Sequence, residues 1–272
     1  MMGLRHWVGV AALGLSLAAL ASGPVAFVAD IHGNASIEGD GKVTFLAELK
    51  AGTRLMLGSG AKVSVTYASS GAEYTISGPG EYVVSPTEVK AEKGAAPTRR
   101  VLNGVPEAAV IARISQTATA SLRMRSVQPR AKAGLQYPVE TRVSTLQPVL
   151  RFSGTPSDAN EVRLLDAKGT ELWKGPAQAG EARPAVKLSP AARYRWTVMT
   201  PQGVLGEAQF ETLGSEALAK AARSRTGARS FSDRVVHAML LHDLGATQEA
   251  RDAWAALAKE RPDLPELAAL AR

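Results

Sequence analysis

Residues 46–89 read LAELKAGTRLMLGSGAKVSVTYASSGAEYTISGPGEYVVSPTEV, a series of short runs broken by glycine-centred turns. Leu55 and Leu57, Val63, Val65 and Tyr67, Tyr74 and Ile76, and Tyr82 and Val84 each recur at every second position. A period of two places one set of side chains inward on a strand and the other outward. Between the runs sit Ala51-Gly52, Gly58-Ser59-Gly60, Ser69-Ser70-Gly71 and Ser77-Gly78-Pro79-Gly80, which is turn chemistry. Phe27-Val28, Ala35-Ser36-Ile37 and residues 42–46 continue the pattern upstream. Together they predict about seven short strands between residues 26 and 92, as a sandwich or small barrel. Gly58 and Gly80 are expected in turns with positive φ rather than in a phosphate cradle, because no Gly-x-x-x-x-Gly-Lys-Ser/Thr occurs.

The amino terminus reads as an export signal, removed after residues 1–21. Arg5 and the α-amino group precede the uncharged run VGVAALGLSLAALA, and Ala19 and Ala21 supply the small residues that a signal peptidase reads. The run is shorter than the ~20 residues a stable membrane-crossing helix needs. No cysteine follows it, so no lipoprotein anchor is expected, and the mature chain should begin near Ser22 in the periplasm or outside the cell. The absence of cysteine also removes disulfides, thiol nucleophiles and thiolate metal sites.

The motifs Leu49-x-x-Gly52-Thr53-x-Leu55-x-x-Gly58, Ala61-x-Val63-x-Val65 and Ser77-Gly78-Pro79-Gly80-Glu81-Tyr82-Val83-Val84 resemble the FecR-like domain. That resemblance implies a periplasmic β fold over residues 26–92. In the family's regulators the domain relays outer-membrane transport status to a sigma factor. Those members carry a cytosolic segment ahead of a membrane helix, whereas only seven residues precede the apolar run here. Sigma-factor control is therefore not expected, and a FecR-type sensor of outer-membrane transport stands as the alternative reading.

A 272-residue chain suggests about two domains. Residues 93–136 read as a basic connector. Residues 94–151 carry nine Arg or Lys against two Glu, an excess as large as the +7 of the whole chain. Residues 108–114 fit a strand or a helical turn equally, while residues 122–127 alternate apolar and basic as a strand would, with Arg123 and Arg125 on one exposed face. Arg99, Arg100, Arg123, Arg125, Arg130 and Lys132 are the candidate contacts for a polyanion, the bland alternative being a solvated face. Only Tyr137 is available for base stacking, so no nucleic acid is expected.

Residues 137–213 renew the β pattern, with a hairpin turn at Asp166-Ala167-Lys168-Gly169. Leu172-Trp173, Leu188-Ser189-Pro190-Ala191-x-x-Tyr194-x-Trp196-x-Val198 and Phe210 resemble an immunoglobulin-like or fibronectin type III-like sandwich. Its aromatic residues are expected to fill the core rather than line a ligand site. Residues 214–272 turn to Ala, Arg, Glu and Leu, with helix starts expected at Ser232-Asp233 and Thr247 and a stop at Gly245. The spacing of Ala238, Leu241, Gly245, Ala250, Trp254, Leu257 and Pro262 resembles one tetratricopeptide repeat. A single unit cannot bury its own faces, so the tail should dock on its own first helix, a β domain or a partner chain, and Trp254 is a candidate partner contact.

The whole is thus expected to be mainly β and multi-domain, ending in an α-helical tail. It carries no Gly-x-Ser-x-Gly and no His-Glu-x-x-His, and the mature chain holds only His32, His237 and His242. A non-enzymatic envelope protein that binds or scaffolds a protein partner is the expected function, with no metal, cofactor or catalytic site.

Overall fold

The computed structural model describes residues 23–123, 134–153, 161–201 and 203–272. The chain is mainly β, with four sheets and its helices gathered toward the C-terminus. The first unit holds β1 (Ala26–His32), β2 (Ala35–Ile37), β3 (Gly41–Lys42), β4 (Glu48–Leu49), β5 (Arg54–Leu57), β6 (Lys62–Tyr67), β7 (Ala72–Ser77), β8 (Gly80–Val84), β9 (Val89–Lys93) and β10 (Thr98–Val101). These form two five-stranded sheets, in the orders β10-β7-β6-β1-β4 and β3-β2-β5-β8-β9. Helix α1 (Ala108–Arg123) follows.

The expected alternation holds on the face between these sheets but fails on the other. Cross-strand register sets Val63 opposite Ile76 and Val65 opposite Tyr74. That face meets the second sheet, where the Tyr67 hydroxyl donates to the Ser85 carbonyl at 2.9 Å. Yet Ser64, Thr66 and Glu73, on the opposite face, are buried as well. Burial on both faces means that something other than water covers the outer one.

The cover is helical and comes mostly from the far end of the chain. Helices α2 (Ser215–Gly227), α3 (Phe231–Asp243), α4 (Thr247–Glu260) and α5 (Pro265–Leu270) close the sequence. α1 buries Val110, Ile111, Ile114 and Ala118, one face at helical spacing. α3 buries residues on several sides, among them Val235, Met239 and Leu241, and α4 buries Ala250, Trp254 and Leu257. All belong to one hydrophobic core with both sheets. Each large apolar side chain buried this way contributes roughly 1.5–3 kcal/mol.

Polar groups beneath the helices need partners. A β-bulge in β1 pairs Val28 with Val65 and then Asp30 with Ser64, so the extra residue, Ala29, moves Asp30 onto the helix-facing side. There Arg261, just past the end of α4, donates from Nη1 to Asp30 Oδ1 and from Nη2 to the Ile31 carbonyl, both at 2.6 Å. Asp263 takes two further donors of the same guanidinium, which lies 5.2 Å over the Phe231 ring. Near the start of α3, Arg100 of β10 bonds the buried Glu73 at 2.6 Å and reaches Asp233, Ser230 and Ser232. Ser230 and Asp233 form a capping box that starts α3, two residues earlier than the sequence spacing predicts.

Between α1 and α2 lies the second β unit, with its own core of Val143, Leu150, Phe152, Val162, Leu164, Trp196 and Val198. It comprises β11 (Gly134–Tyr137), β12 (Thr141–Val143), β13 (Leu150–Ser153), β14 (Glu161–Asp166), β15 (Glu171–Pro176), β16 (Glu181–Ala182), β17 (Arg193–Thr200) and β18 (Gly203–Thr212). Its sheets run β11-β13-β16 and β12-β18-β17-β14-β15. Trp196 is fully buried and donates to the Pro138 carbonyl at 2.8 Å, which satisfies the indole in the core.

Several expectations are corrected. Residues 93–136 contain the edge strand β10, paired to β7, and α1, whose apolar face enters the first core. The strand expected over 122–127 is overridden at its start, where α1 continues to Arg123; residues 124–133 lie outside the described residues. Gly58 and Gly80 do not have positive φ, which falls on Gly60 instead. Gly80 is required by space, since a Cβ there would meet the Lys93 carbonyl and the Tyr82 ring at 2.8 Å. Thr247 is the first residue of α4 rather than its cap.

Two tests follow from the helix–sheet contacts. Arg261→Ala leaves the half-buried Asp30 without its guanidinium and is expected to lower stability by about 2–3 kcal/mol in guanidinium unfolding, with Arg261→Lys recovering only part. Burial opposes ionisation of Asp233, but hydrogen bonds from Ser230 and the Arg100 guanidinium outweigh it and hold the carboxyl below the usual range. Its contribution is therefore complete above about pH 4 and is lost as pH falls through the depressed folded value. Asp233→Ala should cost about 1–2 kcal/mol near neutral pH. Denaturation curves along a pH series should show that difference shrinking toward strongly acidic pH.

Candidate functional site

The residues singled out from sequence do not converge. Arg99 and Arg100 are neighbours in β10 and face opposite sides of the sheet. Arg99 is exposed, while Arg100 is engaged with Glu73 and Asp233. Arg123 ends α1, and Arg125, Arg130 and Lys132 lie outside the described residues. Trp254 is 1% exposed, within the core under α4, so it serves packing rather than a surface contact.

What does converge is a junction built by α4. Its 248, 249 and 252 positions face the second β unit, while Ala250, Trp254 and Leu257 face the first core. Glu249 accepts from the Tyr137 hydroxyl at 2.7 Å and the Ser144 amide at 2.9 Å, and its other oxygen bonds the Ser144 hydroxyl. Gln248 donates to the Gln136 carbonyl and accepts from the Val139 amide, both at 2.8 Å. Asp252 pairs with Arg151 at 3.0 Å, and that guanidinium lies 4.9 Å over the Tyr137 ring. Burial, then the Glu249 carboxylate, pushes the Tyr137 phenol well up, so it stays a donor. Tyr137, Ser144, Gln248 and Glu249 are thus engaged with one another across the junction, while Asp252 and Arg151 pair at its exposed rim.

Among the open clefts of the described residues, two bear charged side chains in number. One of about 390 Å³ lies beside the junction, where Arg142 and Arg193 stand 4.0 and 3.9 Å from the same Glu211 oxygen, near Glu140. The other, about 720 Å³, runs along the C-terminal half of α2 and is lined by Lys220, Arg223 and Arg229. At its floor the Ser224 hydroxyl lies 3.2 Å from His237 Nδ1. Burial and then the Arg225 charge hold the His237 imidazole below its ordinary range. Among the described residues no carboxylate hydrogen-bonds this imidazole, so the pair lacks the group that orients a nucleophile's base. The excess over residues 94–151 does not include the cations in and just after α2, although the four within residues 220–229 are visible in the sequence.

Tyr194, Trp196 and Phe210 are buried, with Tyr194 and Phe210 rings 5.5 Å apart, while Trp173 is partly buried against the same core. Among the described residues no group of three His, Asp or Glu is placed to hold a metal ion, and no helix is long and apolar enough to cross a membrane.

Glu249→Ala removes three hydrogen bonds at once and should lower stability by about 2–3 kcal/mol. Calorimetry is expected to resolve the two β units as separate transitions in that variant.

No protein-family model and no curated protein matches the chain. Among solved structures it is similar to CopC from Methylosinus trichosporium OB3b, at 21% identity over 31% of this chain and 96% of that one, with a TM-score of 0.25. It is also similar to the BSP domain of a biofilm associated protein, at 11% identity over 71% of this chain and 25% of that one, with a TM-score of 0.24. At these scores neither likeness assigns a ligand or an activity.

Proposed function

We propose that this is a non-enzymatic binding or scaffold protein of the periplasm or cell envelope. The observation that carries the reading is the α4 junction: its polar side chains are spent on fixing one β unit against the other. Polar clusters that bond across a junction supply rigidity rather than reacting groups. The product is a body that presents strand edges and loops in a set arrangement. Its outer edge β15 is exposed along most of its length, with Leu172 among its solvent-facing residues. The helices are integrated into the first core, so a protein partner meets these edges rather than a free tail.

Export follows from the charged, apolar and small-residue order of the amino terminus. The expected result is a mature protein beginning near Ser22 in the periplasmic fraction; a cytoplasmic protein that retains Met1 would overturn it. Envelope extracts passed over the immobilised full-length chain should yield a partner whose recovery drops when charges are introduced on β15. Equal recovery would remove that edge from the reading. A FecR-type sensor role rests on the resemblance of the first β unit, and unchanged outer-membrane transport transcripts in a deletion strain would dismiss it.

A further inference from the structure

The cleft along α2 is built rather than incidental. Its far wall is the loop after β10, including Asn103 and Gly104. Gly104 has a φ of +79°, and a Cβ there would meet Leu240 Cδ2 at 3.2 Å and Ser224 Cβ at 3.4 Å. The missing side chain lets the wall press against α2 and α3 in a backbone conformation other residues disfavour.

Cations gather along this cleft, whereas the arginines of the helix–sheet layer and the junction are paired. Arg54, Arg100, Arg151, Arg163, Arg234 and Arg261 each lie within 3.0 Å of a carboxylate. Lys220, Arg223, Arg225 and Arg229 form no ion pair among the described residues, although they occupy ten consecutive positions. Cations do complement the C-terminal dipole of a helix, but that effect acts over the last turn and is small. Three of them, Lys220, Arg223 and Arg229, line one concave surface and suit an external anion.

We propose that this cleft binds a phosphate-bearing polymer, with neighbouring phosphates held by Arg223 and Arg229 and a further one by Lys220. Guanidinium forks match phosphate oxygens two at a time, and the Asn103 amide adds a neutral donor at the wall. A polymer fits better than a lipid surface. A helix lying on a membrane needs large apolar residues beside its cations, and the exposed large hydrophobic residues, Met56, Val101, Leu172 and Val204, do not line this cleft. The proposal does not depend on a protein partner and stands or falls separately from that reading.

The test is calorimetric titration of the full-length chain with inorganic polyphosphate, at low and at physiological salt. Wild type is expected to bind, more weakly as salt rises. The double variant Arg223→Glu/Arg229→Glu is expected to bind at least about tenfold more weakly, with Arg223→Gln/Arg229→Gln as the milder pair should charge reversal disturb folding. The control Arg183→Glu/Arg195→Glu, on the sandwich, should keep affinity within about twofold. Unaltered binding by the cleft variants, or an equal loss in the control, overturns the site. Binding to anionic phospholipid vesicles without binding to polyphosphate overturns the ligand class.

Discussion

The architecture depends on how a polar sheet face tolerates being covered. In an ordinary sandwich the residues facing away from the second sheet meet water. Here Asp30, Ser64, Thr66 and Glu73 occupy that outward face, and α1, α3, α4 and α5 close over it. Two carboxylates and their neighbours would be costly there without partners. Arg261 and Arg100 supply them, one reaching β1 from the end of α4, the other reaching α3 from β10. Packing of Val235, Trp254 and their neighbours can then stabilise the layer.

The same helix that completes this layer also fixes the second unit. Successive residues of α4 alternate between the two tasks, because a turn of 3.6 residues puts Gln248 and Asp252 on one side and Ala250 and Trp254 on another. Coupling of this kind gives the chain a defined surface rather than a flexible string of modules. The cations in and just after α2 stand apart from this coupling, since they line a cleft rather than a contact between units.

Strands were legible wherever turns and alternation coincided, as at β5 to β8, and so were the buried Trp196 and Phe210. The helical cover was not. Ser64, Thr66 and Glu73 look outward in any local reading, and nothing near them announces Arg261, some two hundred residues away. The run 122–127 alternates like a strand, but α1 extends into it to Arg123. Glycine at 80 reads as a turn residue, whereas crowding against Lys93 and Tyr82 is what demands it. Distance in sequence, not weakness of pattern, hid the rest: Arg100 and Asp233 meet only in three dimensions. The α2 cleft was hidden differently, because its charges were readable while the wall formed by Gly104 was not.

The second β unit is inserted between α1 and α2, so the first unit is finished by helices that are synthesised after that insertion. Until the end of α4 is made, Asp30 has no cation and the outer sheet face has no roof. The strands from β1 to β10 must therefore wait, incomplete, while an entire second unit is built. A chain that stopped before α4 would carry this defect in its first β unit. Proteolysis of such products would thus begin in the first β unit.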